Sequence, residues 1–206
     1  MPIDGGARRT SVARSTVTMD VVFFHGAGHG AYAADSLLAV SLARHLGDGY
    51  SVHIPELPEE DDPDDRQWLE SIGETIDRAA APVVVVGHSA GGYLLLKYLA
   101  TERVRTPIAA ICIIAAPFPG GDSGWTFEGF DLPPHFARHL PDGAPVFLYG
   151  SEDDEVVPIA HRELYAAAIP GASTRTTWGG HQLSNDLELV ADDIRRLPLR
   201  DRPPSP

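Results

Sequence analysis

Residues 82–92 read PVVVVGHSAGG, and they run four valines directly into a serine enclosed by small residues. A β-branched run of this length marks a buried strand, and AGGYLLLKYLATE after it has the composition of a helix. Ser89 therefore falls at a strand-to-helix turn. Gly87-His88-Ser89-Ala90-Gly91 fits G-x-S-x-G, whose small neighbours let the backbone turn sharply and push the serine hydroxyl out over the sheet edge. The N-terminus of the following helix aims N–H groups and its positive dipole end at the same place. A tight structural turn would also explain the stretch, so its partners elsewhere have to decide.

Working outward, short apolar runs alternate with amphipathic segments. MDVVFFHG (19–26) and YSVHIPE (50–56) are strands before the valine run; IAAICIIAAP (108–117), APVFLYGS (144–151) and STRTTWGG (173–180) are strands after it. Between them, SLLAVSLARHLG (36–47) repeats Leu38, Leu42 and Leu46 on one helical face, and Trp68, Ile72 and Ile76 do the same after Pro63, which marks a helix start. VPIAHRELYAAAI supplies another helix. NDLELVADDIRRL closes the series with Leu187, Val190, Ile194 and Leu197 on one face and an Asn185/Glu188 capping box. Six strands alternating with helices, mostly apolar on both faces, predict an α/β fold: a three-layer α/β/α sandwich around a mostly parallel sheet of six strands or slightly more. Ligands bind such sheets outside the carboxyl ends of their strands.

The expected organisation is one domain over 18–198, flanked by flexible tails at 1–17 and 199–206. The connection 118–143 is too long for an ordinary loop. It carries Trp125, Phe127, Phe130 and Phe136, which suggests a small aromatic lid.

With 206 residues, the chain is long enough to bury a core without staples. Cys112, the lone cysteine, sits in an apolar run and reads as a buried thiol. Sixteen basic against 29 acidic residues give a net charge of -13, which argues against nucleic acid or an anionic membrane as partner. Neither a secretory apolar segment nor a membrane-length run is present, so a soluble, cytoplasmic protein is expected. The basic residues are almost all arginine, with Lys97 the only lysine, a bias that fits a GC-rich bacterial genome.

A serine hydroxyl needs a base, and the base an acid to orient it. Of nine histidines, His45 and His161 fall in helices, His53 in a strand, and His135 and His139 in the long connection. His88 should point away from its neighbour. His181 remains, in WGGHQLSND between the last strand and the last helix. The acid is expected after the fifth strand, in YGSEDDEVVP, with Asp154 preferred by its Asp-x-x-Val-Pro setting and Asp153 in reserve. The glycine loop in FFHGAGHG suggests an oxyanion hole from the N–H groups of Ala27 and Ala90. His25 is expected to brace that loop. Gly26, His25, His88, Trp125, Phe127 and Phe130 are the substrate-pocket candidates.

FFHGAG, GHSAGG, DEVVP and GGHQLSND together resemble the α/β-hydrolase superfamily, and specifically small single-domain serine hydrolases of the retinoblastoma-binding-protein-9 or esterase type. The resemblance implies an eight-stranded sheet, two strands more than are readable here, and a serine, acid, histidine order along the chain. The expected activity is cleavage of a small carboxylic ester through an acyl-enzyme, with thioester, amide, lactone and peracid chemistry left open. A non-catalytic ligand-binding or interaction protein on the same fold is the alternative. No cofactor and no metal are expected, since His25 and His29 lack a ligand-spaced cluster. Oligomeric state is not legible.

Overall fold

A computed structural model describes residues 18–121 and 129–198. The tails expected at 1–17 and 199–206, and Trp125 and Phe127 of the expected lid, lie outside the described residues. In chain order the elements are β1 (Met19–Phe24), α1 (Ala31–Leu46), β2 (Tyr50–His53), α2 (Asp65–Arg78), β3 (Val83–His88), α3 (Ser89–Thr101), β4 (Ile108–Ile114), β5 (Val146–Ser151), α4 (Ala160–Ala168), β6 (Ser173–Thr177) and α5 (Glu188–Arg195).

All six strands pair in parallel in one sheet, in the order β2-β1-β3-β4-β5-β6. Alternate valines of β3 serve opposite faces. Val83 and Val85 join Trp68, Ile72 and Ile76 of α2 and Leu95 of α3, while Val84 and Val86 join Leu38 and Leu42 of α1 and Val190 and Ile194 of α5. All four valines have zero exposure, and burying each side chain is worth about 1.5–3 kcal/mol. The resulting three layers are those the sequence predicts.

Several boundaries differ from expectation. β1 and β4 end earlier than their apolar runs, because the trailing residues leave the sheet to form the loops at its edge. α1 begins at Ala31, well before Ser36, because the alanines of AYAA favour helix without showing an apolar period. Pro63 is not the first residue of α2. Asp64 caps that helix, its carboxylate accepting from the Gln67 N–H at 2.9 Å. The Asn185/Glu188 capping box is also absent: Asn185 takes a left-handed φ of 56° in a short 3-10 turn, and Asp186 accepts the Glu188 N–H instead.

The chain winds outward from β1 to β2, then returns across β1 to β3. The reversal opens a crevice at the carboxyl ends of β1 and β3, the place where this architecture receives ligands. The loops after β1, β3, β5 and β6 carry the candidate residues to that edge.

Candidate active site

Ser89 begins α3 with φ of 51°, left-handed backbone that a non-glycine residue adopts at a cost of order 1–3 kcal/mol. Its flanking glycines have no positive φ, and they permit the turn by having no side chain. They allow close approach. A Cβ on Gly91 would stand 2.2 Å from the His25 carbonyl oxygen, and one on Gly87 2.6 Å from the Gly92 Cα. The strain belongs to Ser89 itself. Gly26 lies against it, since a Cβ there would reach 3.0 Å from the Ser89 Cβ.

His181 and Asp154 meet. Nδ1 of His181 donates to Asp154 Oδ2 at 2.9 Å. The other Asp154 oxygen accepts the N–H groups of Val156 and Val157, both at 2.8 Å, which accounts for the Asp-x-x-Val-Pro setting. Burial alone would raise this carboxyl, but the His181 and Val157 hydrogen bonds and the His181 charge outweigh it and hold it below its ordinary value. Asp153 is exposed and uses its carboxylate differently. It accepts the amides of Gly179 and Gly180 at about 3.0 Å, tying down the loop that carries His181.

The first glycine loop is held from several sides. Glu60 takes the Gly30 and Tyr32 N–H groups at 2.9 and 2.7 Å, and its own carbonyl accepts from Gly28. His25 braces the loop as expected: Nε2 accepts the Leu57 N–H at 2.8 Å, Nδ1 faces the Gly26 carbonyl, and Tyr32 and Trp68 present ring edges to it. Ala27 is half-buried beside this loop, and Ala90 lies in the first turn of α3, where N–H groups have no helical acceptor.

Two pocket candidates are corrected. His25 and His88 are buried, with both ring nitrogens engaged, and do not line an open pocket. Phe130 packs on the Tyr93 ring, centroids 4.7 Å apart, so it extends the core. Phe136, counted among the lid aromatics, is buried near Tyr165 for the same reason. Apolar rings gain more from packing on the core than from facing water. A cleft of about 850 Å³ lined by Pro82, Pro107 and Pro145 opens at the opposite, amino ends of the strands and contains none of the candidate residues.

Sequence reasoning missed Asp35, Gln182 and Glu60. Asp35 could have been found, since positions 35, 38, 42 and 46 share one face of a helix, and an acid on an otherwise apolar face needs a buried partner. Gln182 and Glu60 carry no comparable signal.

The sequence model of the alpha/beta hydrolase family matches residues 21–204. The chain belongs to the alpha/beta hydrolase family. Membership supports an enzyme of the hydrolase class. The fold is shared with the solved ydeN gene product of B. subtilis (TM-score 0.68, 20% identity, 86% of this chain and 97% of that one). It is shared too with the esterase domain of a Rhodothermus marinus protein (0.64, 17%, 88% and 86%). A third likeness is to CarC, a serine hydrolase involved in carbazole degradation (0.65, 14%, 87% and 90%). A comparison with curated proteins gave no match. Among the described residues of this family member, no helix is long and apolar enough to cross a membrane, and no group of three or more His, Cys, Asp or Glu could hold a metal ion.

Proposed function

We propose that the protein is a serine hydrolase of small carboxylic esters, working from one domain over 18–198 with Ser89, His181 and Asp154 as its triad. The observation that carries this is the 2.9 Å contact between His181 Nδ1 and a fully buried Asp154 carboxylate, on loops at the same sheet edge as the strained Ser89. Neighbours titled esterase and serine hydrolase support the choice of chemistry.

With Nδ1–H given to Asp154, the other ring nitrogen is left to act as base. Ser89 Oγ attacks the acyl carbon while Nε2 of His181 takes the hydroxyl proton, and Asp154 stabilises the imidazolium. The oxyanion is received by the N–H groups of Ala27 and Ala90. Collapse expels the alcohol, which takes the proton from His181. Water then attacks the acyl-enzyme, gives one proton to His181, and the acid leaves as Ser89 regains its hydrogen.

The test is p-nitrophenyl acetate turnover with fluorophosphonate labelling. Ser89→Ala should lower kcat on the order of 10⁴- to 10⁶-fold and abolish labelling, with the fold retained. An unlabelled Ser89 in the folded protein would refute the nucleophile and favour a ligand-binding protein on this fold. An ester, thioester and amide panel beside that control identifies the acyl class.

A further inference from the structure

Beside the Asp154–His181 pair lies a second carboxylate–imidazole pair that the serine chemistry does not use. Asp35 and His88 are each 1% exposed, with Oδ2 and Nδ1 2.8 Å apart. The Asp35 carboxylate also accepts the Gly26 N–H at 2.8 Å and the Gln182 amide at 2.9 Å. On its far side, His88 Nε2 meets the His181 carbonyl oxygen at 3.0 Å.

The proton count follows from donor and acceptor chemistry. A carbonyl and an ionised carboxylate only accept, so His88 satisfies both by donating from both nitrogens. The two N–H groups already donating to Asp35 favour its ionised form. A neutral ring would leave one of these buried contacts without a hydrogen.

We propose, building on the Ser89–His181–Asp154 triad, that His88 is a protonated positioning residue. Held by Asp35, whose carboxylate also takes the Gly26 N–H, it fixes the His181 backbone through the carbonyl. The two rings are close, with centroids 4.7 Å apart. The titratable groups facing His88 are Asp35 from α1, and Asp154 and His181 from the loops after β5 and β6. Burial works to lower the His88 pKa, but the Asp35 hydrogen bond and charge outweigh it and raise the pKa.

Removing one member alone strands a buried charge and endangers folding. The decisive variant is therefore Asp35→Asn/His88→Gln, which loses both charges and keeps amide donors. With p-nitrophenyl acetate, kcat should fall roughly 10- to 100-fold while KM stays within about threefold, as expected for misplaced groups. A variant with lower thermal stability but unchanged kcat would overturn the proposal.

Imidazole nitrogen NMR on the unsubstituted protein gives a second readout that does not depend on variant folding. The His88 ring should carry both hydrogens at pH 7.5, and a neutral ring there overturns the proposal. If Ser89 resists fluorophosphonate while His88 keeps both hydrogens, the triad has failed and the protonated pair stands.

Discussion

Asp154 and Asp153 are adjacent in sequence and divide their work: the first holds the His181 ring at 2.9 Å, and the second holds the Gly179 and Gly180 amides that precede it. One orients the imidazole directly and the other shapes the loop that bears it. Asp154→Asn should lower kcat for p-nitrophenyl acetate on the order of 10⁴-fold, because an amide favours the wrong tautomer of His181. Asp153→Asn should cost about tenfold or less, since it disturbs position without removing the acceptor. Steady-state kinetics on the two variants checks the ranking, and the reverse order would transfer the acid to Asp153.

Acid should weaken the fold through the same carboxylates. For Asp35, burial works upward but the His88 hydrogen bond and charge win, and its pKa lies below the ordinary carboxylate value, as does that of Asp154. A depressed carboxyl contributes stability that is complete above about pH 4 and is lost as pH falls through the folded value. His88 has the opposite sign. Its contribution is complete below about pH 6.5 and is lost as pH rises through its raised value. Denaturant unfolding followed from pH 3 to 9 should give a plateau between these limits. Asp35→Asn/His88→Gln should flatten both sides relative to the parent. A parent stability still rising below pH 4 contradicts the assignment.

Two glycines should answer very differently to alanine. A Cβ on Gly91 meets the His25 carbonyl oxygen at 2.2 Å, backbone against backbone, with nothing flexible to yield. Gly91→Ala should lose about 3 kcal/mol or more, at or beyond the upper range for overpacking. Gly49→Ala has open space and no left-handed φ, so its effect should stay within about 0.5 kcal/mol. Chemical denaturation of both variants measures the contrast. A Gly91→Ala protein of parental stability would mean that the elbow tolerates a wider separation from β1.

The strands are legible in the sequence because their burial is nearly complete. Val83 to Val86 and Ile111 to Ile114 need no partner to be recognised as interior. Even the edge strand STRTT, half-exposed and without an apolar run, is found from its place between two helices. Ser89, Asp154 and His181 are legible through position, each following a strand at one sheet edge. What escapes is set by three-dimensional approach. The Asp35–His88 contact joins residues 53 apart, and the Gln182–Asp35 contact residues 147 apart, with no periodicity to announce either. Within the long connection, Phe130 and Phe136 find apolar neighbours in Tyr93 and Tyr165 that no spacing in the sequence announces.

Lys97 ties the middle of that connection to the body. From the middle of α3, its ammonium reaches Asp65 on α2 and Asp131 within the connection, both at 2.8 Å, and also the Gly129 carbonyl. Burial acts to lower its pKa, but the Asp131 and Asp65 contacts prevail and keep the charge on. Lys97→Met keeps the stem and removes these attachments together with the contact to the Tyr93 hydroxyl. Each charged hydrogen bond is worth about 1.5–3 kcal/mol, less where solvent screens it, so a net loss of about 1–2 kcal/mol is expected. For a chain of this length that lowers Tm by roughly 2–8 °C. Limited proteolysis within 118–143 should accelerate, while p-nitrophenyl acetate turnover stays within about threefold because no triad member touches Lys97. Unchanged cleavage with an unchanged Tm would mean that the connection is held without Lys97.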